Sequence, residues 1–154
     1  MNWMQMLKKN IFNLLFVIFL LLVIQPGNYV FAQTEESLFR KALFLSKQGD
    51  FPEALILWDR YIELFPNDAS ALGNRGNIFL ALGDPEKAID DQTRAMQLMP
   101  KELDPHLNRG IAEEALKLWD DASNDYKYVL KMNPQDSSAL YNLGNIRSHS
   151  GHWI

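Results

Sequence analysis

The chain has 154 residues, of which 15 are Lys or Arg and 19 are Asp or Glu, giving a formal charge of −4 and a pI near 5.3. It contains no cysteine, which excludes disulfide frameworks, cysteine-ligated zinc, thiol nucleophiles and lipid anchors on cysteine. The mild acidity argues against a nucleic-acid binder, whose footprint would be a basic face, and a hydrophobic content of 47% argues against disorder.

Residues 1–32 read as a secretory signal. Lys8 and Lys9 precede the apolar run Ile11 to Ile24, in which Asn13 is the one polar side chain. Gln25, Pro26 and Gly27 are expected to end that helix. Val30-Phe31-Ala32 then places small residues one and three positions before a cut at Gln33. The rival reading keeps residues 11–24 as a membrane anchor. Spanning ~30 Å of hydrocarbon takes ~20 apolar residues, and this run has 14, so length favours the signal. Without residues 1–32, 13 basic and 19 acidic groups remain, net −6. That balance suits neither phosphate backbones nor anionic lipid.

From residue 33 to 154 the sequence repeats every 34 residues. Proline recurs at Pro66, Pro100 and Pro134, and alanine at Ala54, Ala88 and Ala122. Other columns read Ala42, Gly76, Gly110 and Gly144, then Asn74, Asn108 and Asn142, then Arg75, Arg109 and Leu143. Several columns sharing one period mark a repeat architecture, here about 35–68, 69–102, 103–136 and a partial unit 137–154. Within each period Leu38, Ala42 and Leu45, or Leu72, Gly76 and Phe79, share one face of a first helix. Gly49-Asp50 and Gly83-Asp84 make turns, and Pro52 and Pro85 open second helices. Asp68, Asp104 or Ser137 can cap the following first helices. No stretch alternates with period two, so the expectation is all-α with seven helices and no sheet.

The small residues at Gly76, Gly110, Ala54, Ala88 and Ala122 let paired helices approach closely. With Asn74-Arg75-Gly76, Phe79, Gly83-Asp84, Ala88 and Pro100, the chain resembles the tetratricopeptide-repeat (TPR) family. That resemblance covers about residues 35–154 and implies an α-solenoid of antiparallel helix pairs. Departures fall in the third repeat, where His106 and Glu113 replace large apolar groups and Lys117 replaces the turn glycine. That repeat is expected to pack least tightly. The Asn-Arg-Gly repeats behind a signal also resemble exported TPR proteins of cyanobacteria and plastids. The expected location is therefore the periplasm, the thylakoid lumen or the extracellular space.

The resemblance further implies that first helices line a concave binding face. Carried over residue by residue, the lining is Phe39, Leu43, Asn74, Asn77, Leu80, Leu107, Asn108, Ile111, Tyr141, Asn142 and Asn145. Such amides can bond the backbone of an extended peptide, since each offers donors and an acceptor. The same periodic asparagines can equally bridge neighbouring helices, and Phe39 and Leu43 can be covered by residues 33–36 or by a second copy. TPR domains that grip chaperone C-termini place Lys and Arg on first helices. The matching positions are Phe39, Leu43, Asn74, Asp104 and Asn108, or Gly73, Asn77, Asn108, Ser138 and Asn142, and neither set is basic.

No enzyme is indicated. His149 and His152 lack a third ligand for zinc. Adjacent acids at Asp90-Asp91, Glu113-Glu114 and Asp120-Asp121 point ~100° apart on a helix and read as a solvated face. No phosphate loop or nucleophile elbow occurs. The expected partner is a protein or peptide, with no cofactor, metal or nucleic acid, and with membrane contact only through an uncleaved N-terminal segment. The alternative is a self-associating repeat protein whose groove holds another copy.

Overall fold

The computed structural model describes residues 26–149, with side chains from Glu36 to Ser148. The residues of the expected signal up to Gln25 therefore lie outside the described region, as do Ser150 to Ile154. The described helices are α1 (Pro26–Gln48), α2 (Phe51–Leu64), α3 (Ala69–Leu82), α4 (Pro85–Leu98), α5 (Asp104–Ala115), α6 (Trp119–Met132) and α7 (Ser137–His149). Among the described residues there is no strand, and no helix is long and apolar enough to cross a membrane. The chain divides at Ser37–Leu38, and the repeats occupy the part from Leu38 onward.

Helix α1 starts at Pro26 and runs through the expected cleavage point after Ala32, and the apolar run expected to end before it lies outside the described residues. Proline is compatible with a first helical position because the N–H it lacks would be unpaired there anyway.

The turns follow the predicted chemistry. Gly49 and Gly83 adopt φ of 85° and 80°, the left-handed region that glycine enters without steric cost. Lys117 takes the same place in the third repeat with φ of 61°, so the missing glycine is accommodated with backbone strain. Pro52, Pro85 and Pro105 all sit in first turns. Asp68 caps α3 by accepting from the Ala71 N–H at 3.0 Å. Asp136 rather than Ser137 accepts from Ala139 at the start of α7, at 2.9 Å. Asp104 does not cap α5: it is the first helical residue, and Leu103 precedes it without a side-chain cap.

Helix pairs close through the small-residue columns. A Cβ at Gly76 would lie 2.8 Å from Gln92 Nε2, and one at Gly110 2.6 Å from Tyr126 Cε1. Trp58, Gln92 and Tyr126 occupy one repeat column, and all three are fully buried. The two aromatic members anchor separate apolar clusters. Ala42, Trp58, Ile62, Leu72 and Ile78 form one, and Tyr126, Val129, Leu143 and Ile146 another. On α7, Leu140 is 51% exposed. Ile146, six residues closer to the C-terminus, takes the inward place alongside Leu143.

The tight contact at Gly110 gives an expected result. Gly110→Ala lowers stability by about 1–2 kcal/mol, because the clash with a fixed ring outweighs the helix-propensity gain of ~1 kcal/mol. Gly144→Ala stabilises by about 0.5–1 kcal/mol, since nothing lies within 4 Å of its Cβ position. Urea unfolding of both variants checks the pair, and equal signs would contradict this packing.

Candidate functional site

Successive repeats are joined by an arginine ladder. Arg75 sits on α3 and grips Asp91 of α4 through Nε and Nη2, both at 2.7 Å. Its Nη1 reaches back to Asp59 of α2 at 2.8 Å. Arg109 repeats the pattern one unit later, with Asp125 at 2.7 and 2.9 Å and Thr93 Oγ1 at 3.2 Å. Asp91 and Asp125 are almost wholly buried, and their hydrogen bonds hold both guanidinium groups above the usual arginine pKa. The solvated-face reading therefore fails for Asp91 and for Glu113, which is also buried. A 100° separation on a helix lets one member of an acid pair face water while its neighbour faces inward.

The third repeat buries its unusual polar groups with partners. His106 Nδ1 lies 3.0 Å from Asp125 Oδ1, and its ring stacks on Tyr128 with centroids 4.0 Å apart. Tyr126 donates its hydroxyl to Glu114. Glu113 is less well served: Oε1 lies 3.5 Å from Arg109 Nε, and Oε2 has no hydrogen-bond partner. Burial first, then repulsion from Asp125, pushes its carboxyl up from 4.5 to about 7. A native pKa above the unfolded one means that the protonated form favours folding, fully below pH 4.5. The contribution is lost as pH rises through 7. Glu113→Gln should therefore stabilise the protein by about 1–3 kcal/mol at pH 8 and flatten its stability between pH 5 and 8. Denaturant midpoints at pH 5 and 8 decide it, and an unchanged pH profile would place the carboxylate in water.

The first helices share one face. α3 approaches α5 and α5 approaches α7, whereas α2, α4 and α6 make no comparable approach to one another. Two clefts open along this face. The first, about 380 Å³, is lined by Ser70, Gly73, Asn74 and Asn77 of α3, Gln92 of α4, Glu102, and Asp104, Pro105 and Asn108 of α5, with Ala69 and Met99 at its edge. The second is lined by Leu107 and Ile111 of α5 and by Ser137, Ser138, Tyr141 and Asn142 of α7. A further, apolar cleft at the α2–α3 turn shares Ala69, Ser70 and Met99 with the first.

These clefts gather seven of the expected lining residues: Asn74, Asn77 and Asn108 in the first, and Leu107, Ile111, Tyr141 and Asn142 in the second. The others serve differently. Phe39 and Leu43 pack against the first apolar cluster, with the Phe39 ring edge-on to Trp58 at 5.0 Å. Leu80 packs beside Phe79 and Ala88, and Asn145 lines neither cleft. The amides divide their labour too. Asn74 donates to the Ser70 carbonyl, and Asn77 Oδ1 accepts from Gln92.

The residue the sequence reading missed is Gln92. Its Nε2 donates to the Gly73 carbonyl at 3.1 Å and to Asn77 Oδ1 at 2.9 Å. Its Oε1 has no hydrogen-bond partner. The available signal was a lone amide in a column otherwise holding Trp58 and Tyr126. No basic side chain lines either cleft, and the two charged residues of the first are both carboxylates, Glu102 and Asp104. Among the described residues, no three His, Asp or Glu side chains gather as a metal-binding group.

Known proteins carry the same architecture. The first TPR domain of Spaghetti (RPAP3), solved bound to an HSP90 peptide, superposes with a TM-score of 0.73 at 25% identity, covering 77% of this chain and 94% of that one. The Arabidopsis OM64 TPR domain gives 0.72 at 27% identity, covering 76% and 97%. The mitochondrial import receptor subunit TOM34 of Rattus norvegicus is 33% identical over 108 residues, 65% of this chain and 35% of that protein. Serine/threonine-protein phosphatase 5 of Homo sapiens is 32% identical over 93 residues, 60% of this chain and 19% of that protein. The chain thus spans only about a third and a fifth of these two relatives. The family model for the tetratricopeptide repeat matches residues 39–102 and 107–151. Together with the 34-residue helix pairs and their shared inner face, this match makes the chain a member of the tetratricopeptide-repeat family, a protein-interaction fold.

Proposed function

We propose that the chain is a non-enzymatic scaffold that holds an extended segment of a protein partner along the face of α3, α5 and α7. The observation that carries this reading is the run of two clefts on one face, together lined by Asn74, Asn77, Asn108 and Asn142. Free amide donors and acceptors there can satisfy a partner's backbone, while Leu107, Ile111 and Tyr141 offer apolar contact to its side chains. The peptide held by the Spaghetti domain supports the mode of binding. Its acidic C-terminal chemistry does not transfer, because neither cleft offers a cation.

The N-terminal pattern at Lys8, Lys9 and Ile11 to Ile24 supports work outside the cytoplasm, and a module acting there suits the assembly of a membrane complex. Recovery of the mature chain beginning at Gln33 would support export with cleavage, and an intact N-terminus at Met1 on exported protein would favour the anchor.

Affinity capture with the full chain, compared with an Asn77→Ala/Asn108→Ala variant, tests the groove. Partners captured by the native chain should be lost at least about fivefold with the variant, the effect of two hydrogen bonds at ~0.5–1.5 kcal/mol each. Equal capture would remove the groove from the interaction. A mass that rises with concentration in sedimentation, without any partner, would favour the self-associating reading.

A further inference from the structure

We propose that the cleft between α3 and α5 receives a cationic, hydrogen-bond-donating side chain, the Lys or Arg of a partner segment. This rests on the groove reading above and adds the chemistry of what enters it. Three observations converge on the same cavity. The first is charge: Glu102 and Asp104 are its charged lining residues, with no Lys or Arg to neutralise them there. The second is the buried amide of Gln92, which is fully inaccessible to solvent. Both of its donor hydrogens are committed, to Gly73 and Asn77, and its Oε1 is left as an acceptor without a partner. Burying such a group unpaired carries the full penalty of its lost hydration, so a donor arriving in the cleft recovers something the free protein lacks. The third is access. Gly73 has no side chain, and a Cβ there would lie 3.7 Å from Gln92 Oε1, so the absence of a side chain keeps the floor of the cleft open.

The asparagines are neutral in this respect. Asn77 keeps its amide donors while its Oδ1 accepts from Gln92, and Asn74 keeps its Oδ1 while its amide donates to Ser70. The cleft owes its acceptor bias to Glu102, Asp104 and Gln92 Oε1. Its volume, about 380 Å³, lies within the ~300–1,000 Å³ of ligand-sized sites. A carboxylate would meet Glu102, Asp104 and an orphan carbonyl oxygen. A guanidinium or ammonium brings several donors to the same atoms.

Four labelled octapeptides, blocked at both ends and identical except for a central Lys, Arg, Leu or Glu, test the assignment by fluorescence anisotropy with the full chain at low salt. The Lys and Arg peptides should bind about fivefold or more tighter than the Leu peptide, the effect of two solvent-exposed carboxylates at ~0.5 kcal/mol each. The Glu peptide should be weakest, and raised salt should shrink the preference. Glu102→Gln/Asp104→Asn should abolish the preference while leaving the melting temperature unchanged. Gln92→Met should weaken the cationic peptides more than the Leu peptide. Equal binding of all four, still sensitive to Asn77→Ala/Asn108→Ala, would overturn the cation assignment and keep the groove. Tighter binding of the Glu peptide would also overturn it. Failure of all four to bind would overturn the groove reading and this inference together.

Discussion

Arg75→Met should destabilise the protein by about 3–5 kcal/mol in urea unfolding at neutral pH. The cost comes from the partner left behind. Asp91 is 3% exposed and takes two bonds from Arg75, so removing the cation strands a buried carboxylate. Asp59 adds little, because its side chain is half exposed and water can replace the arginine. The repeat itself supplies a control. Leu57 stands one period before Asp91 and packs against the first apolar cluster. Arg75→Met/Asp91→Leu puts a leucine at that place beside an uncharged neighbour, and most of the lost stability should return. A loss below about 1 kcal/mol in the single variant would show that Asp91 is solvated. A double variant as poor as the single would show that the ladder is needed for its geometry and not only to neutralise a charge.

Trp58→Ala should cost a similar amount, about 3–5 kcal/mol, by a different route. The indole is fully buried, meets Phe39 and Tyr61 edge-on at 5.0 and 6.2 Å, and donates Nε1–H to Ser46 Oγ at 2.9 Å. Its removal empties the joint between α1 and α2. Because each repeat contacts only its neighbours, the damage should be local. Hydrogen exchange should accelerate first in α1 and α2, while the cluster around Tyr126 and Val129 keeps its protection. Uniform acceleration across all helices would mean that the repeats unfold as one cooperative block.

Much of this molecule was written in one dimension. The 34-residue period, the turn glycines at 49 and 83, the prolines at helix starts and the alanine column fixed which segments are helices and which ones pair. Local propensity and close-approach geometry depend only on spacing, so sequence alone decides them. The family followed from the same columns, and the absence of a basic clamp was legible at the matching positions. The lining of the groove was legible in part. Asn74, Asn77 and Asn108 do converge, because residues one period apart on successive first helices come to face the same side.

Tertiary structure decided the rest. It turned Asp91 and Glu113 inward, although each belongs to an acid pair that looked solvated. The reason is that burial of a charge depends on what surrounds it: Asp91 meets Arg75, 16 residues away in the chain, across the α3–α4 interface, and Glu113 lies beside Arg109 one turn earlier on its own helix. It packed Phe39 and Leu43, both half-buried, against the first apolar cluster, with the Phe39 ring edge-on to Trp58. It also placed Gln92 beneath the cleft with an unpaired oxygen. A glutamine in a core column states only that something polar is buried. Which of its atoms is satisfied, and which is left for a ligand, is set by the carbonyl of Gly73 and the side chain of Asn77 on the neighbouring helix.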